Sequence, residues 1–279
     1  MKKEIAIIGC GVIGTELAQN IDKETIPNCS LSVIFDIDKD KSKTVFDKLT
    51  KNKPAIFSNF KDFVESAQFR KIDLVIEAAS ISAASIYGVD ILKRGKDLMI
   101  MSIGVFSDYD FYSEIMHLIK TKSNNVFLPS GAIGGMDMIR SIRNHIDSIT
   151  LITTKSNKSL KGAPFFANYN IDADKITNKQ IIFEGNAEDA IKQFPSNVNV
   201  AALISLGGIG FKRTNVKIVV DPSISNNIHE ICVKWKFGEF AIKISNRPSY
   251  ENPKTSYLAI LSAIECLRSI CSHDLKVGS

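Results

Sequence analysis

Nothing in these 279 residues approaches the roughly twenty consecutive apolar side chains that a membrane span requires. The sequence also lacks a CxxC pair. Its five cysteines, Cys10, Cys29, Cys232, Cys266 and Cys271, are odd in number and scattered, which indicates neither a zinc site nor a disulfide framework and fits a reducing, cytoplasmic compartment. No tract of one charge sign is present. The 35 Lys and Arg residues against 30 Asp and Glu give a net charge of +5, spread through every segment, so no stripe follows a phosphate backbone and nucleic acid is not an expected partner. Repeats, low-complexity tracts and Pro-rich linkers are missing as well. At the N-terminus Glu4 interrupts the apolar run after Lys2 and Lys3, and Glu16 closes it, leaving too short a stretch for an export signal.

What remains is an ordinary globular balance, 44% hydrophobic and 23% charged, with chain enough for two modest domains. Short buried-strand runs alternate with helical patterns through the first half: Glu4 to Gly9, Leu31 to Phe35, Ala55 to Phe57, Leu74 to Ile76, Asp97 to Ser102 and Val126 to Pro129. Such alternation predicts an α/β fold, a doubly wound parallel sheet with helices on both faces. Beyond it, five strand-like runs predominate (Ile149 to Thr154, Gln180 to Glu184, Val216 to Val220, Ile228 to Lys236, Glu239 to Ile244), with a helix from Asn199 to about Leu206. They predict a second, α+β domain with a mostly antiparallel sheet. The expected division is residues 1–135, then 136–252, with a final helix over 253–272 long enough to pack back on the first domain.

Gly9-Cys10-Gly11-Val12-Ile13-Gly14 satisfies GxGxxG directly after a strand and before a helix, and Asp36 ends the second strand twenty-two residues beyond Gly14. Strand, glycine turn, helix and acid together form the fingerprint of a Rossmann dinucleotide site. Gly9 and Gly11 let backbone approach a pyrophosphate, while the helix N-terminus meets its charge. The Asp36 carboxylate suits the ribose hydroxyls of NAD and repels the extra phosphate of NADP; Asp38 ranks second. Lys39, Lys41 and Lys43 soften that repulsion, so NADP stays open. Ala78, Ala79 and Ser80 close a strand where such sheets bind ligand, and their small size leaves room for the cofactor.

Of the four histidines, His117 and His145 lie in charged helical surroundings and His273 lies in the tail. His229 opens a strand in the second half and is the candidate acid–base group, with an isolated structural histidine as the alternative. No metal site is expected.

The glycine turn, Ser130-Gly131-Ala132-Ile133-Gly134-Gly135-Met136-Asp137, Pro195-Ser196-Asn197-Val198-Asn199-Val200-Ala201-Ala202, Asn226-Asn227-Ile228-His229 and Asn252-Pro253-Lys254-Thr255-Ser256, in this order and across nearly the whole chain, resemble L-aspartate dehydrogenase. The resemblance implies NAD(P)-dependent oxidative deamination of L-aspartate to iminoaspartate, hydrolysed to oxaloacetate and ammonia, with the imino product feeding NAD biosynthesis in some members. It also implies a homodimer paired through the second domains' sheets. It makes His229 catalytic and places Ala132 and Asn199 against the nicotinamide half of the cofactor. Met136, where Leu is commoner, and Glu230 depart from the pattern without touching a functional atom. The chemistry agrees: a base must hold the substrate nitrogen neutral while hydride leaves Cα, and an imidazole with a pKa near 6.5 can do so. Each substrate carboxylate needs donors. Lys254, Thr255 and Ser256 are candidates for one, unless they merely start the last helix, and the backbone of Gly131 to Gly135 is a candidate for the other. Two alternatives stand beside this reading, another two-domain reductase of the homoserine dehydrogenase or dihydrodipicolinate reductase type, and a non-catalytic NAD-binding sensor.

Overall fold

The computed structural model describes residues 2–195, 199–249, 252, 255–272 and 275. The chain forms two compact units: one runs to Pro129 and takes in the chain again from Ile260, and the other holds Ser130 to Ala259. The boundary therefore falls earlier than the expected 135. The reason lies in the glycine segment, where a Cβ on Gly135 would stand 2.2 Å from Cδ1 of Ile242, so this segment packs against the second unit's sheet.

In the first unit, β1 (Lys3–Ile8), β2 (Cys29–Phe35), β3 (Ala55–Phe57), β4 (Leu74–Glu77), β5 (Asp97–Ile100) and β6 (Val126–Phe127) make one sheet in the order β3-β2-β1-β4-β5-β6. Every neighbouring pair is parallel. Val33, Ile5, Val75 and Leu98 are buried because helices cover both faces, which is why these strands read as unbroken apolar runs. The order reverses beside β1, and a doubly wound sheet binds ligand at that switch point, beyond its carboxyl edge.

The helix Val12–Asp22 buries Leu17, Ala18 and Ile21 in a cluster with Ile5, Ile7, Leu31 and Ile34. Ile260, Ala263, Ile264, Leu267 and Cys271 of the last helix, Tyr257–Cys271, join the same cluster. That helix starts at Tyr257; Pro253 and Lys254 lie outside the described residues. Ser66 divides two short helices, ending Phe60–Glu65 and capping Ala67–Lys71 by accepting from Phe69 N–H.

The second unit carries β7 (Ile146–Lys155), β8 (Gln180–Asn186), β9 (Thr214–Val220), β10 (Asn227–Trp235) and β11 (Gly238–Asn246), ordered β11-β10-β7-β9-β8. Three of its four pairings are antiparallel and β7 with β9 is parallel, so the sheet is mixed with an antiparallel majority. The helix Asn199–Gly207 buries Val200 to Ser205. Asn157–Leu160, Pro164–Asn168 and Ala187–Gln193 are further helices, each too short to show a 3.6-residue period in sequence. Among the described residues no helix is long and apolar enough to cross a membrane.

One buried carboxylate fastens the first helix to the segment before β3. Asp22 accepts from the N–H groups of Thr50, Lys51 and Asn52 and from the side chains of Thr50 and Asn52. Burial alone would raise its pKa, but these donors outweigh it and hold the carboxyl well below the usual range. A depressed folded-state value stabilises the fold above the unfolded-state value and loses that contribution on acidification. Asp22→Asn turns an amide donor toward backbone donors and should lose about 2 kcal/mol at neutral pH. In urea melts the gap between the two proteins should narrow as the pH falls below about 4; a gap independent of pH would contradict the assignment.

Candidate active site

Three features stand at the carboxyl edge of the first sheet. Gly9 adopts a φ of +101°, and a Cβ there would meet the backbone of Ala78 and Ala79 at 2.7–2.8 Å. On Gly14 a Cβ would lie 1.9 Å from the Gly9 carbonyl oxygen, so the turn, the first helix and the end of β4 close on one another only with glycine at both positions. Gly11 is different, with an ordinary φ of −77° and nothing within 4 Å of a Cβ. The fold does not require glycine there. Val12 and Ile13 begin the helix and pack against the apolar cluster.

Asp36 is pinned beside this turn. Its Oδ2 accepts from Cys10 N–H at 2.7 Å and its Oδ1 from Asp38 N–H at 2.9 Å. A carboxylate offers about four acceptor positions, so two remain for a pair of hydroxyls. Asp38, the second-ranked acid, instead caps the helix Lys39–Asp47 by accepting from the N–H groups of Asp40 and Lys41. Lys41 lies 3.9 Å from Asp38, and Lys39 and Lys43 are exposed. Burial pushes the Cys10 thiol up to about 11, so it is a protonated filler in contact with Ser42.

Ala78 packs against the core cluster, Ala79 and Ser80 are exposed, and the Ser80 hydroxyl caps Ile81–Lys93 through Ala83 N–H. The residue that shapes this edge is Glu77, which sequence reasoning passed over. It is buried and accepts from Ala79 N–H (2.8 Å), Ser80 N–H (2.9 Å), and the Ser102 hydroxyl (2.9 Å) and N–H (3.0 Å). Burial raises its pKa despite these donors. A lone acid at the end of an apolar strand, followed by Ala-Ala-Ser, was the available signal.

The second unit holds the histidine. His229 lies on β10, in register with Thr153 of β7 and Ile244 of β11, with only 2% of its surface exposed. Its Nδ1 is 3.0 Å from the Thr153 hydroxyl. Burial, helped by the positive charge of Lys155, pushes its pKa down to about 3, far below the 6.5 expected of a solvated imidazole. The ring is therefore neutral at physiological pH. His117 and His145 are exposed, as a solvated role requires, and His273 lies outside the described residues.

Around His229 the inner face of the sheet is polar. Asn227, two residues away on the same strand, donates to Ser256 Oγ at 3.4 Å, and Ser256 is buried and bridges to Pro248. Thr255 lies in the turn before the last helix, its carbonyl accepting from Ser249 N–H. These two residues are thus not in the helix, and Ser256 is tied to the histidine's strand. Ala132 is buried with its carbonyl accepting from Asn246 Nδ2 at 2.8 Å. Asn199 heads its helix and is exposed.

Residues 137–270 match the family described as "Aspartate dehydrogenase, C-terminal", and residues 9–129 match "Homoserine dehydrogenase, NAD binding domain". L-aspartate dehydrogenase of Nitrosopumilus maritimus is 43% identical over 277 residues, covering 99% of this chain and 100% of that one. The same enzyme of Methanocella arvoryzae is 44% identical over 276 residues, 99% of each chain. The chain belongs to the L-aspartate dehydrogenase family. Crystalline aspartate dehydrogenase of Thermotoga maritima superimposes with a TM-score of 0.72 at 27% identity, covering 99% of this chain and all of that one. Scyllo-inositol dehydrogenase of Lactobacillus casei, at 14% identity and a TM-score of 0.58 over all of this chain and 92% of its own, shares the fold alone. The homoserine dehydrogenase likeness is confined to the first unit, which is an NAD-binding Rossmann domain.

The different surroundings of the glycines separate folding from binding. Gly14→Ala should lose about 3 kcal/mol or more of stability. Gly11→Ala should melt like the wild type yet bind NADH about tenfold or more weakly. Fluorescence titration with NADH alongside thermal melts checks both, and undiminished affinity in Gly11→Ala would place the pyrophosphate elsewhere.

Proposed function

We propose that the chain deaminates L-aspartate oxidatively to iminoaspartate, which water converts to oxaloacetate and ammonia, with the buried neutral imidazole of His229 as the catalytic base. Family membership supports the overall reaction. The observation that carries the role of His229 is its burial against Thr153 with the ring uncharged. When bound, NAD supplies the hydride acceptor. The glycine turn, Val12, Ile13 and the Ala78–Ser80 edge hold its pyrophosphate and neighbouring groups, Asp36 accepts from the adenosine ribose hydroxyls, and Ala132 and Asn199 contact its nicotinamide half. NAD is the preferred form because Asp36 repels a 2′-phosphate; NADP is a secondary one through the nearby lysines.

The chain's own part is proton handling and positioning. Substrate Cα releases hydride only when its nitrogen has a free lone pair to form C=N, so an ammonium must first surrender a proton. Thr153 Oγ1 stands 3.0 Å from Nδ1, and in the tautomer whose Nδ1–H donates to that hydroxyl the Nε2 lone pair of His229 is left to take the proton. The same nitrogen then draws a proton from the water that attacks the imine carbon. Ser256, fixed through Asn227 near His229, is a polar group for the substrate; the remaining candidate anchors are Thr255, Lys254, which lies outside the described residues, and the backbone of Gly131 to Gly135. Neither a redox sensor nor a cofactor-binding scaffold has use for such a base.

We further propose a cytoplasmic homodimer joined through the second unit's sheet, with iminoaspartate passing to NAD biosynthesis. Multi-angle light scattering should return about twice the 30.8 kDa chain mass.

His229→Ala should reduce kcat by about a hundredfold or more while NADH binding is retained; equal turnover would dismiss the base. Because the imidazole titrates near 3, the pH profile of kcat/KM should show no inflection near the ordinary histidine value of about 6.5. A break close to 6.5 would mean that the ring is solvated in the working enzyme. Asp36→Ala should narrow the preference for NAD over NADP, measured as the ratio of kcat/KM values.

A further inference from the structure

Two of the five cysteines meet in the first unit, on the side of the sheet away from the glycine turn. Cys29 opens β2 in register with Lys3, the first residue of β1, so it stands at the amino edge of the parallel sheet. Cys271 ends the last helix. Both are buried members of one apolar cluster, and both are free thiols. The last turn of that helix is fixed against the segment leading into β2. The Arg268 guanidinium donates to the Thr25 carbonyl at 3.4 Å, and Ser272 N–H closes the turn on the Arg268 carbonyl at 2.8 Å. Across this contact the Cys29 thiol is hydrogen-bonded to the Cys271 sulfur, and it also donates to the Ile26 carbonyl at 3.6 Å.

A buried free cysteine ordinarily acts as a small protonated filler. Cys10 and Cys266 do so, since burial pushes each thiol up to about 11. Cys271 is different. The hydrogen bond from Cys29 and the charge of Lys3 hold its thiol below the ordinary value against burial and the nearby Asp73, while the same hydrogen bond and burial raise Cys29. One member of the pair therefore forms the thiolate and the other keeps its proton, which is the division that oxidation of a dithiol uses. Cys271 also lies in the last helical turn, where local opening costs least and a small oxidant reaches the sulfur most easily.

We propose that Cys29 and Cys271 are a reversible oxidation site, closed by peroxide into a disulfide that staples the end of the last helix to the start of β2. The Cys271 thiolate attacks the peroxide O–O bond, taking one oxygen to become a sulfenic acid while the other leaves as hydroxide, so sulfur is oxidised and peroxide reduced. The Cys29 sulfur then attacks the Cys271 sulfur, forming the S–S bond as the sulfenic oxygen departs with the Cys29 proton as water. A thiol reductant returns both to the free state, the state the pair keeps in a reducing compartment. The covalent loop from residue 29 to residue 271 restricts the unfolded chain and so stabilises the folded one. Since the pair sits at the amino edge and a doubly wound sheet binds its ligand at the carboxyl edge, closure leaves the cofactor site as it was.

The test treats the full-length reduced protein with hydrogen peroxide, counts thiols after denaturation, and maps linked peptides by mass spectrometry without reductant. The wild type should lose two of its five thiols and yield one linked pair, Cys29 with Cys271. Its melting temperature should rise by about 5 °C or more and return to the starting value with dithiothreitol, with NADH affinity within about twofold throughout. Cys29→Ser should gain no stability on oxidation and should instead expose a Cys271 sulfenic acid to dimedone, whereas Cys232→Ser, which removes the exposed thiol, should behave as the wild type. Five thiols surviving peroxide, a linked pair that includes Cys10, Cys232 or Cys266, or a Cys29–Cys271 link that leaves the melting temperature unmoved would each overturn the proposal. Thiol counting and peptide mapping use the wild type alone, so a Cys29→Ser protein that fails to fold leaves the decision intact.

Discussion

The first unit depends on backbone meeting backbone without side chains between. Gly14 sits on the Gly9 carbonyl, and Gly9 sits on the peptide joining Ala78 to Ala79, so β1, the first helix and the end of β4 approach more closely than any Cβ permits. Two carboxylates then lock the same edge from its two sides. Asp36 ties the end of β2 to the glycine turn through Cys10 N–H, and Glu77 ties the end of β4 to Ser102 beyond β5. Both acids work mainly as acceptors for backbone donors. The carboxyl edge is thus preorganised before any ligand arrives, with Gly11 left open.

The second unit solves a different problem, keeping an imidazole uncharged and fixed in orientation. Burial achieves the first, and the Thr153 hydroxyl achieves the second by engaging Nδ1. The sheet register performs both at once, since the pairing of His229 with Thr153 places the ring on the buried face; a slip of one residue would turn it to the opposite face. Lys155 adds positive charge on the same face, which disfavours protonation further.

Legibility differed between the two halves for a physical reason. The glycine fingerprint is local: strand, turn and helix follow one another in sequence, so Gly9, Gly11, Gly14 and Asp36 were readable from spacing. The second-unit site is assembled across strands. His229 could be picked out as a strand-opening histidine, but Thr153 lies 76 residues away and Lys155 reads as one of many lysines until β7 and β10 pair. Glu77 was hidden by expectation, because an acid at a strand end is ordinarily solvated, and its donors come partly from another strand. The short helices of the second unit and the division at Ser66 escaped because fewer than two helical turns show no period.

By itself the sequence determined the fold class, a parallel α/β unit followed by a largely antiparallel one, along with the family and the glycine turn with its acid, because these follow from periodicity and from contiguous motifs. Tertiary structure decided what each side chain is worth chemically. It made Asp38 a helix cap and Cys10 an inert thiol, placed Ser256 outside the final helix, and pushed the titration of His229 down to about 3 by burial. Charge state and hydrogen-bond partners depend on desolvation and on neighbours distant in sequence, and both come into being only when the strands pair and exclude water.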